Sequence, residues 1–457
     1  MEAGRKPNVI ILVADDHRYE AIGWHGNEDV KTPVLDELAK RGVSFSHTYI
    51  NGGLDGAVCA PSRACLNSGC TIMGATVSQS LEDTMEKLTI GSNRATLGET
   101  FRRSGYHTYA VGKWHNDKAS FQRSFENGKN IFFGGMSEHR QVPVYPYDPT
   151  GEYHASLKTI ETTFSTELFT NTAVEFLDRY EREEPYLLYV AYTSPHDPRT
   201  APEPYASMYD PACLTLPPNM WAEHPFDNGE MQVRDEHLTA VPRNREDVQH
   251  EVADYYAMIS HMDAEIGRLI EKLREKNELE HTIIVYTSDH GLAVGQHGLM
   301  GKQNVYEHSV RIPWIMSGPG IGEGVKPSGQ VMQMDIFPTL CALADVLTPL
   351  SVEGRSMAAA AQQSGQAPFR DTVYSLYKDT QRMVKDEAWK YIRYRKSSHS
   401  GEGTDEIQLF FVKDDPWETT NLAHDSQYSV KVKEMQQKLE RWMHEAHDPF
   451  VQYFSEK

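Results

Sequence analysis

Short apolar runs of strand length recur along the chain and are separated by amphipathic stretches. The clearest apolar runs are Val9–Ala14, Tyr106–Val111, Tyr186–Tyr192, Thr282–Thr287 and Pro313–Ser317. Apolar side chains between Tyr255 and Leu273 recur at spacings of three and four, which predicts a long amphipathic helix. Buried strands that alternate with helices predict an α/β fold with a mostly parallel central sheet, covered by helices on both faces.

The pattern changes after Met357, where a small polar tract runs to Pro368. We predict a domain boundary there, between a main α/β domain over residues 1–357 and a C-terminal subdomain over residues 358–457. The segments beyond the tract that look like strands are Thr372–Tyr377, Trp389–Tyr394 and Gln408–Val412. A final amphipathic helix is predicted near Tyr428–Glu445.

Two long segments show little periodicity and are predicted to be loops. Pro195–Pro242 contains nine prolines, and compact domains tolerate loops of this length mainly as lids or binding loops. Asn116–Thr163 is aromatic and rich in glycine around Phe132–Gly135. We expect both segments to shape a pocket, with the proline-rich one lying over it.

The chain is strongly acidic. Its 457 residues include 45 Lys and Arg against 65 Asp and Glu, which gives a formal net charge of −20. Such a surface disfavours nucleic acids and anionic membranes as partners. No apolar run approaches the roughly 18 residues of a membrane span, so none is predicted. The five cysteines are too few and odd in number for a disulfide scaffold.

The cellular location is left open by the first residues, which lack the apolar stretch of a signal peptide. We expect the protein to be periplasmic or secreted if a signal peptide has been removed, and otherwise cytoplasmic.

Polar side chains follow four of the predicted strands. They are Asp15, Asp16, Lys113, His115, His196, Asp289 and His290. Ligands of open parallel sheets bind at the carboxyl ends of the strands, so we expect these side chains to converge. Adjacent carboxylates repel each other unless a cation lies between them, and an oxygen-rich donor set favours Ca²⁺ or Mg²⁺. Taken singly, each of these short sequences is also a common turn composition.

The segment around Cys59 combines a thiol with a nearby arginine. A helix that opens at Pro61 would place Cys59 at a helix N-terminus, where anions are favoured and a thiol pKa is lowered. Arg63 adds a planar cation suited to tetrahedral oxyanions. These residues predict an oxyanion pocket, with a buried cysteine beside a surface arginine as the alternative.

The same segment, Cys59-Ala60-Pro61-Ser62-Arg63, resembles the Cys-x-Pro-Ser-Arg signature of the type I sulfatases, which belong to the alkaline phosphatase superfamily. In that family the cysteine is oxidised to Cα-formylglycine. The stretch from Gly105 to His115 resembles the second signature of the family, and Leu409–Asn421 extends the resemblance towards the C-terminus. The resemblance implies an alkaline phosphatase-like body and a small antiparallel C-terminal sheet with a helix packed on it.

Carried onto this chain, the resemblance implies a metal site and a sulfate site. One Ca²⁺ would be held by Asp15, Asp16, the modified Cys59, Asp289 and His290. Histidine at 290 stands where many relatives have asparagine, which leaves other divalent metals open. The implied sulfate-binding and catalytic residues are Cys59, Arg63, Lys113, His115, His196 and Lys302. A formylglycine-generating enzyme or an anaerobic maturase is the implied maturation partner.

The resemblance also implies the order of the chemistry. A divalent ion and cationic side chains neutralise the sulfate oxygens, and the hydrated aldehyde attacks sulfur. The alcohol leaves with a proton from His196 or Lys302. His115 then removes a proton from the second hydroxyl, so that sulfate departs and the aldehyde returns.

The substrate is predicted from the segment Gly301 to His308, which resembles carbohydrate-directed bacterial sulfatases and implies a sulfated carbohydrate. His297, Asn304 and His308 are candidates for contacts with sugar hydroxyls. The alternatives are a choline or aryl sulfatase, a phosphonate monoester or phosphodiester hydrolase on the same fold, and a non-catalytic binder of sulfated glycans. The acidic surface favours a short or sparsely sulfated substrate over a densely sulfated polymer.

Overall fold

A large sheet runs through the centre of the molecule, which this computed structural model describes for residues 5–54, 56, 58–77, 89–363 and 367–455. The strands of the main body are β1 (Asn8–Ala14), β2 (Val43–Ser44), β3 (His47–Tyr49), β4 (Gly52–Gly53), β5 (His107–Lys113), β6 (Asn127–Phe132), β7 (Val142–Val144), β8 (Thr159–Glu161), β9 (Tyr186–Ala191), β10 (Thr282–Ser288), β11 (Arg311–Ile312), β12 (Trp314–Ser317) and β13 (Gln330–Met332).

The central sheet has seven strands in the order β2-β12-β10-β1-β9-β5-β6. All neighbours from β10 to β6 are parallel, whereas β12 and β2 join antiparallel at one edge. The predicted mostly parallel sheet is therefore confirmed. The predicted strands begin and end within two residues of the observed ones, because each is a continuous apolar run buried on both faces.

Helices cover both faces of this sheet. The helices of the described residues are α1 (Pro33–Lys40), α2 (Cys59–Ser68), α3 (Ile72–Ala75), α4 (Leu97–Arg103), α5 (Lys118–Ser124), α6 (Ser165–Arg179), α7 (Arg245–Glu275), α8 (Glu307–Val310), α9 (Ile336–Leu343), α10 (Ala358–Ala361), α11 (Ser429–Glu445) and α12 (Val451–Ser455). Ile10 and Leu12 of β1 belong to the core formed with α6 and α7. Val9 and Ile11, on the opposite face, belong to the core that includes α2 and α9.

A smaller sheet lies in the C-terminal part of the chain. Its strands are β14 (Val373–Tyr377), β15 (Gln381–Lys385), β16 (Lys390–Tyr394) and β17 (Glu406–Phe410). They pair antiparallel in sequence order, and α11 packs on β15 and β16. This confirms the expected small antiparallel sheet with its helix.

One strand of the main body joins this smaller sheet, because β4 pairs parallel with β14. The two parts of the chain therefore share hydrogen bonds and a core. The boundary between residues 357 and 358 stays a prediction.

The predicted proline-rich loop contains only short 3-10 turns, at Pro211–Cys213 and Arg234–His237. Leu214 and Leu216 pack in a core with α7, which fixes one part of the loop to the body. Among the described residues, no helix combines the length and the apolar character that crossing a bilayer would require.

Candidate active site

The carboxyl ends of four parallel strands meet at one edge of the central sheet. Asp15 and Asp16 follow β1, which lies between β9 and β10. Asp289 follows β10, and Lys113 is the last residue of β5. Ion pairs bring these residues together, since Lys113 Nζ contacts Asp15 and Arg63 Nε lies 2.9 Å from Asp289 Oδ2. The predicted convergence of polar groups is present.

A glycine bulge in β5 allows Lys113 to enter the site. The pairing of β5 with β6 shifts register between Val111 and Gly112. Gly112 has φ +87°, and a Cβ there would lie 2.0 Å from the carbonyl oxygen of Ala191. Only glycine fits this position without displacing the neighbouring strand. Lys113 Nζ then donates to the Gly135 carbonyl at 2.6 Å as well as contacting Asp15.

Helix α2 places the signature residues inside the protein. Cys59 is its first residue, and Arg63 lies one turn later with no exposed surface. Arg63 Nη1 donates to the Lys113 carbonyl at 2.9 Å. Ser62 Oγ contacts the Asp289 carbonyl oxygen, which ties the helix to the end of β10. The alternative prediction, in which Arg63 lies at the surface beside a buried cysteine, is therefore wrong.

Two site residues that are not glycine adopt left-handed backbone conformations, Asp16 with φ 70° and His115 with φ 58°. This region is disfavoured for residues with a Cβ and persists where the surrounding contacts enforce it. The Asp16 N–H donates to Asp289 Oδ1 at 3.3 Å. The strained backbone turns the carboxylate of Asp16 towards Lys302, whose Nζ lies 2.9 Å from its Oδ1.

Two overlapping groups of side chains offer ligand atoms close enough to hold one cation. They are Asp15, Asp16, Cys59 and His196, and Asp15, Cys59, Asp289 and His290, each with ligand atoms within 4.8 Å of one another. Asp15 Oδ1 and Asp16 Oδ2 are buried and have no hydrogen-bond partner among the described residues. Carboxylate oxygens supply two of the four ligand atoms in each group, and two of these oxygens have no other partner in the described part of the chain, so the residues fit a hard divalent cation.

The pKa values reflect the crowding of charge. Burial and the nearby Asp15 raise the pKa of Asp289 to about 6, although Arg63 opposes this. Burial would also raise the pKa of Asp15, but Lys113, His196 and Arg63 together more than offset it and hold that pKa below its ordinary value. Burial disfavours the thiolate of Cys59, but Lys113, Lys302 and His290 together lower its pKa well below the usual range. The site therefore stabilises an anionic group at position 59.

Three basic side chains surround the Cys59 sulfur. Lys302 Nζ lies 3.5 Å and His290 Nε2 3.1 Å from Sγ. His115 also lies beside the sulfur, and burial lowers its pKa despite a hydrogen bond to Cys59. Burial would lower the pKa of His196, but Asp16, Asp15 and a hydrogen bond to Cys59 together raise it above its ordinary value. The two histidines thus differ: the site favours the neutral form of His115, which can accept a proton, and the protonated form of His196, which can donate one.

A cavity of about 360 Å³ opens above Cys59. His115, His196 and Lys302 line its inner part. Both predicted loops also contribute: Met136 comes from 116–163 and Arg234 from the proline-rich segment. The outer rim of this cavity, as defined here, consists of Met136, Val233, Arg234, Asp235 and Gln303.

The sequence did not identify the individual residues of the outer rim. They lie in segments without periodicity, and their pairing is long-range: Arg234 Nη1 bonds Asp197 Oδ2 at 2.6 Å. Asp197 itself follows His196 directly, which was the one signal that could have pointed to it.

The three candidate sugar contacts, His297, Asn304 and His308, lie outside the lining of this cavity. All three are buried. The His297 ring stacks on Tyr306 with ring centroids 3.8 Å apart, and the ring of His308 lies in the same cluster. Asn304 Nδ2 donates to the Gly301 carbonyl at 3.1 Å. These side chains stabilise the segment that carries Lys302.

Comparison with known proteins agrees with this site. The model of the Sulfatase family matches residues 7–346. The chain belongs to the sulfatase family. A second family model, N-sulphoglucosamine sulphohydrolase, C-terminal, matches residues 295–445 of this sulfatase. The enzyme is accordingly a sulfuric ester hydrolase.

Curated relatives of this sulfatase cover nearly all of it. An N-acetylglucosamine-6-O-sulfatase of Bacteroides thetaiotaomicron is 25% identical, with 96% of this chain and 86% of the relative covered. An ulvan-active sulfatase of Formosa agariphila is 27% identical, with 97% and 82% covered.

Solved structures share the fold of this sulfatase. A complex of a protein with its substrate D-glucosamine-2-N,6-O-disulfate has a TM-score of 0.81 at 22% identity, covering 97% of this chain and 99% of the other. The phosphonate monoester hydrolase of Agrobacterium radiobacter has a TM-score of 0.76 at 20% identity, with 96% of each chain covered.

Proposed function

We propose that this sulfatase hydrolyses a sulfate monoester on a sulfated carbohydrate. The observation that carries the proposal is the convergence of Cys59, Arg63, Lys113 and Lys302 with the strand-end carboxylates below one cavity. The names of the relatives support the carbohydrate part, since one acts on N-acetylglucosamine 6-O-sulfate and another on ulvan.

We further propose that the reactive form carries Cα-formylglycine at position 59 and one Ca²⁺ held by Asp15, Asp16, Asp289 and His290. The unpaired carboxylate oxygens of Asp15 and Asp16 support this, because they are buried and face the sulfur of residue 59. When bound, the cation and the aldehyde supply charge neutralisation and a diol nucleophile. His290 offers Nε2 towards position 59 as well.

The protein's own side chains would bind and orient the sulfate group. Arg63, Lys113 and Lys302 are buried, so their positive charges act on sulfate oxygens with little screening by water. They are also pre-arranged by the hydrogen bonds that fix them to strand ends. Little reorganisation is therefore needed when a sulfate ester arrives.

His196 and His115 would carry out the two proton transfers of the reaction. His196, whose pKa is raised chiefly by Asp16 against the effect of burial, suits donation to the departing alcohol oxygen. His115, whose pKa burial lowers, suits removal of a proton from the group at position 59. Lys302 is a second candidate donor because its Nζ lies in the same cavity.

A phosphonate monoester or phosphodiester hydrolase is the alternative, favoured by the fold shared with the Agrobacterium enzyme. A sulfate monoester carries one negative charge and a phosphonate monoester likewise, so the pocket alone does not separate them. Turnover of a sulfate ester and a phosphonate ester of the same aryl alcohol, measured in parallel, decides between the two.

The first prediction concerns Cys59. Replacing Cys59 by Ala removes the nucleophile, and we expect release of inorganic sulfate to fall by about 10³-fold or more. Sulfate is measured by ion chromatography with a panel of sulfated mono- and oligosaccharides. Cys213→Ala is the matched control, because Cys213 is exposed and lies outside the site; full activity in Cys59→Ala would refute the proposal.

Peptide mass spectrometry of the same preparation tests the modification. We expect the peptide that contains Cys59 to have the mass of the aldehyde or its hydrate in active protein. An active enzyme whose Cys59 peptide is entirely an unmodified thiol would exclude formylglycine.

The second prediction concerns the metal. Removal of divalent ions by a chelator should abolish turnover, because the carboxylates of Asp15, Asp16 and Asp289 would then repel each other and the sulfate. Adding Ca²⁺ back should restore the rate. Mg²⁺ and Mn²⁺, tested in parallel, show which ion the histidine-containing ligand set prefers. Unchanged activity in metal-free enzyme would contradict this assignment.

A further inference from the structure

The outer rim of the cavity, beyond the sulfate-binding side chains, presents hydrogen-bond acceptors and apolar surface to the alcohol. Arg234 is the cation of the rim, and its side chain is 47% exposed. An arginine at the entrance of a sulfate pocket would ordinarily be expected to receive a second anionic group of the substrate. Its contacts here exclude that role.

All five N–H donors of Arg234 are engaged by the protein. Nε and Nη2 donate to Asp235 Oδ1 at 3.0 and 2.6 Å. Nη2 and Nη1 donate to the two oxygens of Asp197 at 2.8 and 2.6 Å. The remaining Nη1 hydrogen is directed to the sulfur of Met136. A guanidinium group has no further donor to offer.

The other rim donor, the amide of Gln303, is partly used as well. Gln303 Nε2 donates to Asp235 Oδ2 at 2.9 Å, and its Oε1 accepts from the Lys302 N–H at 2.9 Å. Met136 and Val233 contribute thioether and aliphatic surface. Gln303 Nε2 keeps a second hydrogen, so among the described residues the rim offers an anion one neutral amide N–H and no arginine N–H.

The acceptors, by contrast, have capacity to spare. Asp197 and Asp235 are carboxylates, each able to accept about four hydrogen bonds. With Arg234 they form a group of two negative charges and one positive charge, a net charge of −1. The acidic chain as a whole adds to the negative potential at this entrance.

We propose that the outer rim selects sulfate esters whose alcohol carries hydroxyl or ammonium groups and rejects those with a second sulfate or a carboxylate close by. The inference rests on the proposed function and specifies its substrate class: a singly sulfated neutral or amino sugar. Hydroxyl and ammonium hydrogens can bond to Asp235, which lines the cavity, whereas a second anion would meet the like charge of Asp235 and Asp197 and, in the described rim, no free cationic donor.

The test compares sugars that differ in one substituent. The probes are glucosamine 6-sulfate, N-acetylglucosamine 6-sulfate and glucosamine 2-N,6-O-disulfate, with sulfate release as the measurement. We expect kcat/KM for the disulfate to be lower than for the two monosulfates by about tenfold or more, as a like charge at short range implies. Equal or faster turnover of the disulfate would overturn the inference while leaving the proposed function intact.

A variant assigns the selectivity to the rim. Asp235→Asn removes one negative charge at nearly constant shape. The ratio of kcat/KM for the monosulfates to kcat/KM for the disulfate should therefore fall several-fold. Asp227→Asn is the matched control, because Asp227 is an exposed carboxylate of the same loop whose oxygens bond the Gly229 and Gly403 N–H groups. A ratio that is unchanged in Asp235→Asn, or changed equally in Asp227→Asn, would overturn the assignment.

Binding measurements separate this inference from the proposed function. Dissociation constants of the same three sugars for the metal-loaded Cys59→Ala protein, obtained by calorimetry, require no turnover. Weaker binding of the disulfate than of the monosulfates supports the inference even if hydrolysis fails for every sugar. Tighter binding of the disulfate refutes it.

Discussion

At the scale of the residue, buried histidines outside the active site are held neutral by the fold. His224 is buried, its Nδ1 donates to the Phe226 carbonyl at 2.6 Å, and its Nε2 lies 3.1 Å from the Tyr306 hydroxyl. Burial lowers its pKa from 6.5 to about 4. The unfolded chain therefore binds a proton at a higher pH than the folded protein does, and acid weakens the fold.

The third prediction follows from this difference. As the pH falls from 6.5 towards 4, the free energy of unfolding should decrease by up to about 3 kcal/mol through His224. His224→Gln should lose that part of the pH dependence, as measured by urea unfolding at several pH values. His444→Gln, at an exposed position of α11, is the control. A pH slope that is the same in both variants would contradict the assignment.

At the scale of the element, a buried ion cluster joins α8 to the C-terminal sheet. Lys390 of β16 has no exposed side-chain surface, and its Nζ lies 2.6 Å from Glu418 Oε1 and 3.2 Å from Glu307 Oε1. Glu307 also accepts a hydrogen bond from the Tyr49 hydroxyl at 2.9 Å. The cluster therefore connects β3, α8 and β16, which come from distant parts of the sequence.

The fourth prediction is that Lys390→Met destabilises the protein by about 3–5 kcal/mol, because two buried carboxylates lose their shared counter-ion. Unfolding by denaturant measures the change. Lys396→Met makes the same substitution at an exposed position just after β16 and should have little effect. A loss below about 1 kcal/mol in Lys390→Met would show that solvent reaches the two glutamates.

At the scale of the whole molecule, a net charge of −20 coexists with three buried cationic side chains, Arg63, Lys113 and Lys302, at the candidate active site. The positive side chains are buried beneath the cavity, so their field is local, whereas the acidic surface acts on any part of a substrate that stays outside. A long sulfated polymer would be repelled at distances where a monosaccharide sulfate is not.

The fifth prediction is that added salt speeds turnover of heavily sulfated chains more than turnover of monosaccharide sulfates. Raising the ionic strength from about 0.1 to about 1 M shortens the screening length from about 10 to about 3 Å. Initial rates of sulfate release at several NaCl concentrations give the ratio. Equal salt effects on both substrates would mean that the surface charge has no influence on selection.

The fold and the sulfate site were predictable because their signals are local. Strands such as β1 are continuous apolar runs, and Asp15 follows such a run directly. Strand β15 was missed because Gln381 and Lys385 are polar residues in a buried strand. They are tolerated there because Gln381 Nε2 bonds the Gln303 carbonyl and Lys385 lies near Glu307.

The outer rim and the positions of the three candidate sugar contacts depend on long-range contacts that the sequence does not display. His297 is close to Lys302 in sequence, which suggested a shared pocket, but its ring turns inward onto Tyr306. Arg234 resembles an ordinary loop arginine until Asp197, 37 residues earlier in the same proline-rich segment, is placed beside it. Pairing between residues 37 positions apart within one aperiodic segment leaves no trace in the sequence.

The burial of α2 implies that any enzymatic modification of Cys59 must come before folding is complete. Every residue from Cys59 to Ser68 is buried, and Ser62 and Arg63 are bonded to Asp289, which lies more than two hundred residues later in the chain. A modifying enzyme can bind this segment only before it folds into the buried helix. If Cys59 matures as we propose, oxidation competes with folding, and the fraction of active enzyme depends on which of the two is faster in the host cell.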